Sequence, residues 1–430
     1  MALGAGKILT PAKQIWLRIH LAGLAAWRMV KSSASLAQMN RVLVTGGAGF
    51  IGSHLVEALL RSGSSVWVLD NLSSGSFKNI EALQNLAQEL ALLKNLEFHF
   101  IEGSIQDPRS WEEIPNVESV FHLAAQTSVT QSVRDTDLDF ASNISFIPHL
   151  TKYILRAGVR RLINCNTAGA FYGVAETLPT PEDDPFHPLA PYGATKAMAE
   201  IYLGAWTRAL RSDLKISGDS QAKNYFSWAS LRLANVYGPG QLAHGEAGIV
   251  PIFFDKIINH QPITIFGDGG KTRDYVFVAD VIEAFLATWK GLNHQALDLP
   301  FNVGTGVETR DLDVYREMKS ALESMGLNNF KLNPEPEFSK VRPGEVLRSC
   351  VDSHRIGSMI GWKARMKFSD GIRRTLDLMV EALQLNEAQL KVDGAQLNDL
   401  RFNGERFNDE RFKNARFNNG QHPYTESPNP

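Results

Sequence analysis

Cysteine is scarce in this chain, whose 430 residues include only Cys165 and Cys350. Two cysteines cannot build a disulfide framework, and so low a count is typical of a reducing compartment, which predicts a cytoplasmic protein. An excess of charge of one sign is also missing, because the formal net charge is −2. Without a basic surface field, nucleic acid is not expected as a partner.

Long uninterrupted apolar runs are missing as well. The most apolar stretch near the start, residues 14–30, is interrupted by two arginines and a histidine. It is therefore too short and too charged to span a membrane, and it lacks the ordered regions of a secretory signal. Residues 1–39 contain no Asp or Glu. An organelle address or a membrane-surface helix is one interpretation, and an extension upstream of a start at Met39 is the favoured one.

Apolar residues make up 44% of the chain and charged residues 21%, which is ordinary for a globular protein. From residue 41 onward, β-rich apolar runs alternate with helical stretches. The runs cover residues 42–45, 65–69, 97–101, 119–123, 161–165 and 228–233. This rhythm predicts an α/β fold with a parallel, doubly wound sheet. Residues 212–225 read as a surface loop, and the rhythm breaks beyond Pro239, as a smaller lobe over a ligand would require.

A glycine-rich turn follows the first predicted strand, where residues 46–52 read GGAGFIG before a helical segment. Gly46, Gly49 and Gly52 permit a tight turn, close approach to a pyrophosphate and helix-on-strand packing. Asp70 ends the second strand 18 residues after Gly52. A carboxylate there accepts hydrogen bonds from both ribose hydroxyls and repels a 2′-phosphate, so the pattern predicts NAD and not NADP. An ordinary turn aspartate is the alternative for Asp70.

Tyr192 and Lys196 form a second candidate pair, because in PYGATKAMAE (191–200) they share one face of a predicted helix. A free tyrosine titrates near pH ~10, so a tyrosine base at neutral pH needs about 4 kcal/mol of preferential phenolate stabilisation. A nearby ammonium group can supply it. Since NTAGAFYG (166–173) precedes the pair and a dinucleotide motif comes earlier, we interpret the pair as catalytic and not as a chance pair on a surface helix.

Several longer motifs resemble the extended short-chain dehydrogenases/reductases of the NAD-dependent epimerase/dehydratase family, and most of all UDP-glucose 4-epimerases. The likeness covers residues 40–376. Besides the glycine turn, it rests on HLAAQ (122–126), YGATK (192–196), LRLANVYGPGQ (231–241), FGDGGKTRDYVFVADV (266–281), FNVGTG (301–306) and RPGEVLRS (342–349).

This resemblance implies a role for each matching residue. Tyr192 is the general base, Lys196 is its electrostatic partner and a ribose ligand, and the Thr167 hydroxyl bonds the reacting sugar oxygen. A structural threonine at a strand end is the alternative for Thr167. Contacts to NAD are expected from Gly46, Gly49, Phe50, Ile51, Gly52, Asp70, Asn71, Ser104, Ile105, Leu123, Ala124, Ala125, Tyr192 and Lys196. Contacts to a nucleotide-diphosphate sugar are expected from Ser128, Asn235, Thr264, Phe266, Arg273, Arg342 and Ser349.

Within that second set, the resemblance places Arg273 and Arg342 on the diphosphate, because a guanidinium fork suits phosphate oxygens. Surface ion pairs are the alternative for both arginines. Asn235 would bind the phosphate or sugar region, and Thr264 and Phe266 would bracket the uracil.

Four positions depart from the family pattern. Ser104 stands where an aspartate usually contacts adenine, and Gly240 stands where related epimerases often have arginine. A single helix is expected around Asn143; it reads NISFIPHL (143–150) and contains Pro148 in place of the usual glycine–threonine step, and residues 164–166 read Asn-Cys-Asn in place of a serine-rich stretch. Together they predict a somewhat different cofactor affinity and ligand preference.

The predicted organisation is a Rossmann-like fold with a smaller C-terminal lobe. It comprises an N-terminal extension (1–39), an NAD-binding Rossmann domain (40–230), a substrate-binding lobe with some strands returning to the main sheet (231–376) and a tail (377–430). In the tail, residues 401–420 repeat a phenylalanine every five residues. The match to pentapeptide repeats is poor, because Leu400, Glu405, Glu410 and Ala415 stand where that family wants small residues. A disordered or loosely docked tail is expected ahead of an ordered coil.

The implied reaction is an NAD-dependent 4-epimerisation of the UDP-glucose/UDP-galactose type through a transient 4-keto sugar. A 4,6-dehydratase or decarboxylase of the same fold is the closest rival, but related dehydratases carry acids directly after the catalytic threonine, where this chain has Ala168 and Gly169. An intact set of catalytic residues argues against a non-catalytic NAD-binding scaffold. A reductase that releases its product is a third alternative, and stoichiometric consumption of NADH would identify it.

Three further expectations follow from the resemblance. A homodimer joined through two helices of each subunit is expected, and no metal is expected. Ser349, seven residues after Arg342, stands where a bulky residue excludes N-acetylated sugars, so a permissive pocket is predicted.

Overall fold

The computed structural model describes residues 40–216, 226–242, 248–292, 297–326, 336–341 and 346–392, and it describes side chains in these ranges except in 211–216 and 382–392. Three predictions lie outside the described residues. They concern the N-terminal extension (1–39), Arg342 and the five-residue repeat (401–420).

Seven parallel strands form the central sheet in the order β10-β6-β5-β4-β1-β2-β3. They are β1 (Arg41–Thr45), β2 (Ser65–Asp70), β3 (Phe98–Glu102), β4 (Ser119–His122), β5 (Arg161–Thr167), β6 (Ser227–Leu233) and β10 (Leu299–Val303). The first six agree within two residues with the predicted runs, because strands covered on both faces read as continuous apolar sequence. The predicted Rossmann-like doubly wound fold is confirmed.

Helices cover both faces of this sheet. The described helices are α1 (Phe50–Arg61), α2 (Phe77–Lys94), α3 (Pro108–Glu112), α4 (Val129–Arg134), α5 (Thr136–Asn143), α6 (Ile147–Ala157), α7 (Pro191–Ile216), α8 (Ile249–Ile258), α9 (Val278–Gly291), α10 (Asp311–Ser324), α11 (His354–Ile360) and α12 (Phe368–Val392). Successive side chains of β1 point to opposite faces of the sheet and so belong to different helix layers. Val42 and Val44 share an apolar cluster with α1, α2 and α9, whereas Leu43 shares one with α3, α6 and α7.

Beyond β6 the chain forms a second set of short strands. They are β7 (Asn235–Tyr237), β8 (Thr264–Phe266), β9 (Thr272–Phe277), β11 (Glu308–Arg310), β12 (Glu337–Ser339) and β13 (Arg348–Ser349). β9 pairs with β7, β11 and β13, and β8 pairs separately with β12. A separate apolar core packs α8, α10 and α12 against these strands, with Phe253, Met318 and Ile372 almost fully buried. β10 returns to the edge of the main sheet beside β6.

The sheet order creates a crevice at the carboxyl ends of the strands. The chain runs outward through β1, β2 and β3 and then returns to β4 on the other side of β1. Loops that leave adjacent strands in opposite directions leave room between them, and ligands of doubly wound sheets bind at this position. The loops after β1, β2 and β4 therefore define where the site must lie.

Two boundaries differ from the expectation from sequence. The predicted loop at 212–225 begins too early, because α7 continues through Ile216; its remainder lies outside the described residues. α12 runs across the predicted boundary at 376/377, and the compact unit that contains all three sheets ends at Leu385. No helix among those described is both long and apolar enough to cross a membrane.

Candidate active site

Two positions of the turn after β1 require glycine, each for its own steric reason. Gly46 has a φ of +73°, and a Cβ on it would lie 2.6 Å from the backbone nitrogen of Ala124. A Cβ on Gly52 would lie 2.0 Å from the carbonyl oxygen of Gly46. Gly49 has neither constraint, since it is the N-cap of α1 at a φ of −77° and its Cβ would lie at an ordinary 3.4 Å. The turn therefore presses α1 onto β1 and leaves Gly49 at the helix N-terminus, where backbone N–H groups favour an anion.

Asp70, the last residue of β2, is fixed at the rim of this turn. Its Oδ2 accepts a hydrogen bond from the N–H of Ala48 (2.9 Å), and its Oδ1 accepts one from the N–H of Leu72 (2.8 Å). Burial raises the pKa of Asp70, and these two bonds oppose the shift. Asn71 is exposed and its side chain accepts from the N–H of Ser73. A glycine cradle with a fixed carboxylate beside it fits an adenosine ribose and pyrophosphate.

The other predicted cofactor residues follow β3 and β4, next to this turn. The N–H groups of Leu123 and Ala124 donate to the carbonyl oxygen (3.1 Å) and hydroxyl (3.3 Å) of Thr45. The hydroxyl of Ser104 accepts from the N–H of Gln106. Ile105 has its side chain in the apolar core, where it is 7% exposed. The predicted cofactor residues outside α1 and α7 thus lie at or just after the carboxyl ends of β1, β2, β3 and β4.

Thr167, Tyr192 and Lys196 come together where β5 ends and α7 begins. Tyr192 and Lys196 are 8% and 7% exposed. The Lys196 Nζ donates to the carbonyl oxygen of Cys165 (2.8 Å), two residues before Thr167. Gly193 packs so closely after Thr167 that its Cβ would lie 2.2 Å from the carbonyl oxygen of Ala170. The first turn of α7 is therefore held against the end of β5 from both sides.

Lys196 brings a buried ammonium group to this junction. Burial lowers the pKa of the Lys196 ammonium, opposed by the nearby Cys165, Glu200 and Asp139. Burial raises the pKa of the Cys165 thiol to about 11. Burial, with the Lys196 charge second, lowers the pKa of His122 to about 3. Cys165 and His122 are thus neutral near pH 7, and an ammonium at Lys196 is the group that can favour a phenolate at Tyr192.

The two residues after Thr167 are small and bear no charge. Ala168 is 1% exposed and packs with Phe171, Tyr172 and Val351. At Gly169, a Cβ would lie 3.8 Å from both the Asn235 Oδ1 and the Ser349 Oγ. The end of β5 therefore faces two side chains of the second lobe across a glycine, and no carboxylate directly follows Thr167.

Strand register brings three of the predicted substrate residues to one place. Arg273 on β9 pairs with Ser349 on β13, and Asn235, the first residue of β7, pairs with Tyr275, two residues farther along β9. The Arg273 Nη1 donates to its neighbour's carbonyl oxygen at Thr272 (2.7 Å). In the described ranges no carboxylate forms an ion pair with Arg273, so its guanidinium is available for an anion.

Three further predicted substrate residues lie on other elements. Thr264 and Phe266 lie on β8, in the small sheet with β12, and both are partly exposed. Ser128 caps α4, where its Oγ accepts from the N–H of Gln131 (2.9 Å).

The backbone conformation explains two of the departures from the family pattern, Gly240 and Pro148. Gly240 has a φ of +84°, a conformation that an arginine would adopt only with strain. Pro148 lies in the first turn of α6, where its missing N–H has no partner to lose. The predicted single helix is in fact divided, with α5 ending at Asn143 and α6 beginning at Ile147.

Sequence reasoning missed four polar residues behind the site. Asp274 binds the 301–306 loop, accepting from the hydroxyl of Thr305 (2.6 Å). Glu200 and Arg232 form a buried ion pair, and Asn166 donates to Glu200 (2.8 Å). Two signals were available: Glu200 lies one helical turn after Lys196 on the same face, and Arg232 interrupts an apolar strand.

Comparison with known proteins gives consistent matches. Residues 42–304 match the model of the NAD dependent epimerase/dehydratase family. The UDP-glucose 4-epimerase of Mycolicibacterium smegmatis is 36% identical over 339 residues, which cover 78% of this chain and 97% of that protein. A probable dTDP-glucose 4,6-dehydratase of Sinorhizobium fredii is more distant, at 26% identity over 357 residues.

Solved structures agree with these sequence matches. The UDP-glucose 4-epimerase of Thermotoga maritima, crystallised with UDP-glucose, has a TM-score of 0.66 at 34% identity and covers 80% of this chain and 99% of its own. The UDP-glucose 4-epimerase of Thermus thermophilus in complex with NAD has a TM-score of 0.64 at 35% identity, covering 79% and 99%.

Proposed function

We propose that this chain, which belongs to the NAD dependent epimerase/dehydratase family, is a nucleotide-sugar 4-epimerase that interconverts UDP-glucose and UDP-galactose. The observation that carries the proposal is the end of β5, where Thr167 is followed by buried Ala168 and by Gly169 instead of acids. Tyr192 and Lys196 lie against the same strand end. This arrangement can oxidise and reduce a sugar carbon but offers no acid there to eliminate water.

The cofactor of the proposed enzyme is NAD, and the residues present fit it. The cradle of Gly46, Gly49 and Gly52 would hold the pyrophosphate, and Asp70 would bind the adenosine ribose and exclude a 2′-phosphate. Lys196 would bind the nicotinamide ribose. NAD held there would supply a reversible hydride acceptor for carbon 4 of the sugar. Ser104, Ile105 and residues 123–125 would line the rest of the cofactor.

Three residues at the junction of β5 and α7 carry out the proposed reaction. Tyr192 removes the proton from the 4-hydroxyl as the hydride leaves, and it later returns that proton. The Lys196 ammonium stabilises the phenolate form of Tyr192. The Thr167 hydroxyl holds the oxygen on carbon 4 during both halves of the reaction. The intermediate is a 4-keto sugar that remains attached to its nucleotide.

The second lobe anchors the nucleotide while the sugar turns. Arg273, together with Arg342, would bind the diphosphate, and Asn235 would bind the adjoining phosphate or sugar oxygens. Thr264 and Phe266 would bracket the uracil, and Ser128 would contact the sugar side. Because these contacts hold the diphosphate and not the ring, the 4-keto sugar can present its other face before the hydride returns. In this map, residues 40–230 bind the cofactor and provide the catalytic residues and Ser128, and residues 231–376 provide the other contacts to the sugar nucleotide.

Ser349 defines the size of the sugar pocket in this proposal. Its Oγ would lie 3.8 Å from a Cβ on Gly169, as the Oδ1 of Asn235 would, and a serine at this position leaves room for a larger substituent on carbon 2. We therefore include UDP-N-acetylgalactosamine among the substrates.

A homodimer is proposed on an exposed apolar face of α4, α5 and α7. The face comprises residues that are 39% to 64% exposed, namely Val129, Val133, Leu138, Phe140, Met198, Ile201 and Tyr202. The helices pack together, with the Thr195 hydroxyl donating to Asp139 (2.8 Å). An apolar face of this extent is typical of a protein interface. Ile201→Glu should shift the mass in light scattering to that of a monomer. Leu92→Glu, at an exposed position on α2, should not; two dimeric variants would contradict this interface.

The proposed location is the cytoplasm. The support is chemical: Cys165 and Cys350 are both free thiols that form no disulfide with each other, as a reducing compartment allows.

A substrate panel tests the proposed function. Purified protein would be incubated with UDP-galactose, UDP-N-acetylgalactosamine and a dTDP-hexose, and the products separated by chromatography. UDP-glucose from UDP-galactose, without consumption of NADH, is the expected result. A 4-keto-6-deoxy product would favour the dehydratase, and stoichiometric oxidation of NADH would favour a reductase.

A further inference from the structure

Asn166, the penultimate residue of β5, contacts the backbone of both neighbouring catalytic candidates. It is 3% exposed. Its Oδ1 accepts a hydrogen bond from the N–H of Thr167 (2.9 Å), and its Nδ2 donates to the carbonyl oxygen of Lys196 (3.3 Å). The same Nδ2 donates to the Oε2 of Glu200 (2.8 Å). Both N–H bonds and the carbonyl oxygen of this amide are therefore used.

These bonds make Asn166 a crosslink between the strand end and the helix. A second hydrogen bond joins the same two elements, because the Lys196 Nζ on the helix donates to the carbonyl oxygen of Cys165 on the strand (2.8 Å). Residues 165–167 of β5 are thus connected to Lys196 through both its backbone and its side chain. A change in the Asn166 bonds would alter the separation between the Thr167 hydroxyl and the Lys196 ammonium.

The crosslink ends on a buried polar network that can resist movement. Glu200 also accepts from the hydroxyl of Ser230 (2.6 Å) and from the Nη2 of Arg232 (2.5 Å). The Nη1 of Arg232 donates in turn to the hydroxyl of Tyr172 (2.7 Å). The side chains of Glu200 and Arg232 are only 6% and 5% exposed. Buried groups with complete hydrogen bonding are fixed in one arrangement, because each alternative leaves one unpaired.

We propose that Asn166 is a positioning residue, which sets the distance between Thr167 and Lys196. The inference rests on the proposed function, in which those two residues act on the substrate. Asn166 itself contacts neither substrate nor cofactor in this account. It affects the reaction only by holding the backbone of Thr167 and Lys196 in place.

Asn164 provides a matched control on the same strand. It is 2% exposed, and its Nδ2 donates to the hydroxyl of Ser230 (3.3 Å). It has no bond to Thr167 or Lys196 among the described contacts. Asn164→Ser and Asn166→Ser therefore remove the same buried amide two residues apart, and only the second breaks the crosslink.

The two serine variants would be compared in full-length protein that carries its cofactor. We expect Asn166→Ser to lower kcat for UDP-galactose about 10- to 100-fold, because small misplacements of reacting groups have effects of this size. KM should change less than about threefold, since the nucleotide contacts lie elsewhere. Asn164→Ser should retain kcat within about threefold even if its Tm falls equally. Equal losses of kcat in both variants, or full kcat in Asn166→Ser, would overturn the proposal.

Asn166→Asp gives a second test through the pH profile. A protonated carboxyl can accept from the N–H of Thr167 and donate to Glu200, whereas the ionised form faces the Glu200 carboxylate. The ratio of the variant's kcat to the wild-type kcat should therefore rise as the pH falls. A pH profile identical to that of the wild type would refute the positioning role. If the wild type converts no nucleotide sugar, the proposed function fails and this inference fails with it; an active wild type with fully active variants removes this inference alone.

Discussion

Replacing Gly52 with alanine tests the packing of α1 on β1 at the glycine turn. A Cβ on Gly52 would lie 2.0 Å from the carbonyl oxygen of Gly46, whereas ordinary contacts begin at 3.4 Å. Because the opposing atom belongs to the backbone, no side-chain rotation relieves the overlap, and α1 must move away from the sheet. Overpacking typically costs 1–3 kcal/mol, and an overlap this large should fall at the upper end, about 3 kcal/mol.

The expected change in Tm follows from the size of the folded protein. An unfolding entropy of about 2.1 cal/mol/K per residue, over the 339 residues aligned with the Mycolicibacterium smegmatis enzyme, gives ~0.7 kcal/mol/K. A loss of about 3 kcal/mol therefore lowers the Tm by ~4 °C. The measurement is calorimetry on protein stripped of cofactor, because bound NAD would itself raise the Tm.

Gly49→Ala is the matched control for this experiment. Its Cβ would lie 3.4 Å from the same carbonyl oxygen, and its φ of −77° suits alanine. We expect an unchanged Tm in stripped protein but weaker NAD binding by titration calorimetry, because the methyl group would stand where the pyrophosphate approaches. Equal Tm values for Gly52→Ala and the wild type would refute the packing argument. Equal Tm losses in both variants would refute the distinction between the two glycines.

Four other outcomes are expected. Tyr192→Phe should nearly abolish turnover while NAD still co-purifies, and Lys196→Ala should reduce both; full turnover in Tyr192→Phe would exclude Tyr192 as the base. Stripped enzyme should be activated by NAD far more than by NADP because of Asp70, and equal activation would contradict that role. Ser349→Tyr should selectively remove turnover of UDP-N-acetylgalactosamine, since overpacking costs about 1–3 kcal/mol; a wild type that converts only UDP-galactose would contradict the permissive pocket. Burial lowers the pKa of His122 from 6.5 to about 3. As the pH drops, His122 is therefore protonated in the unfolded chain before it is protonated in the folded protein. The free energy of unfolding should fall over this pH range by up to about 5 kcal/mol. His122→Gln should flatten the acid side of the unfolding profile, and an unchanged profile would argue against a buried neutral His122.

The central sheet was predictable because its signal is local. Each of the strands β1 to β6 is a short apolar run bounded by polar or glycine-rich sequence, and burial on both faces requires that pattern. The strands of the second lobe were not predicted individually. β13 has two residues and β7, β8, β11 and β12 have three each, so their positions depend on pairing with distant partners and not on a run of sequence.

The site residues, too, could be predicted where their geometry depends on neighbouring sequence and could not where it depends on distant partners. Gly46, Gly52 and Asp70 could be identified from spacing, because one turn and one strand end define their geometry. Asn166 looked like a departure from a serine-rich pattern, and its partners are 30 and 34 residues away at Lys196 and Glu200. Only the packing of α7 on β5 shows that this amide connects them.

Deuterium on carbon 4 of UDP-galactose provides the most direct test of the proposed epimerisation. The labelled sugar would be incubated with the enzyme and its bound cofactor, and the product analysed by NMR and mass spectrometry. If one hydride leaves and returns to the same carbon, UDP-glucose will form with the deuterium retained on carbon 4 and with no net NADH. Deuterium on another carbon, its loss to solvent, or the absence of UDP-glucose would contradict the account.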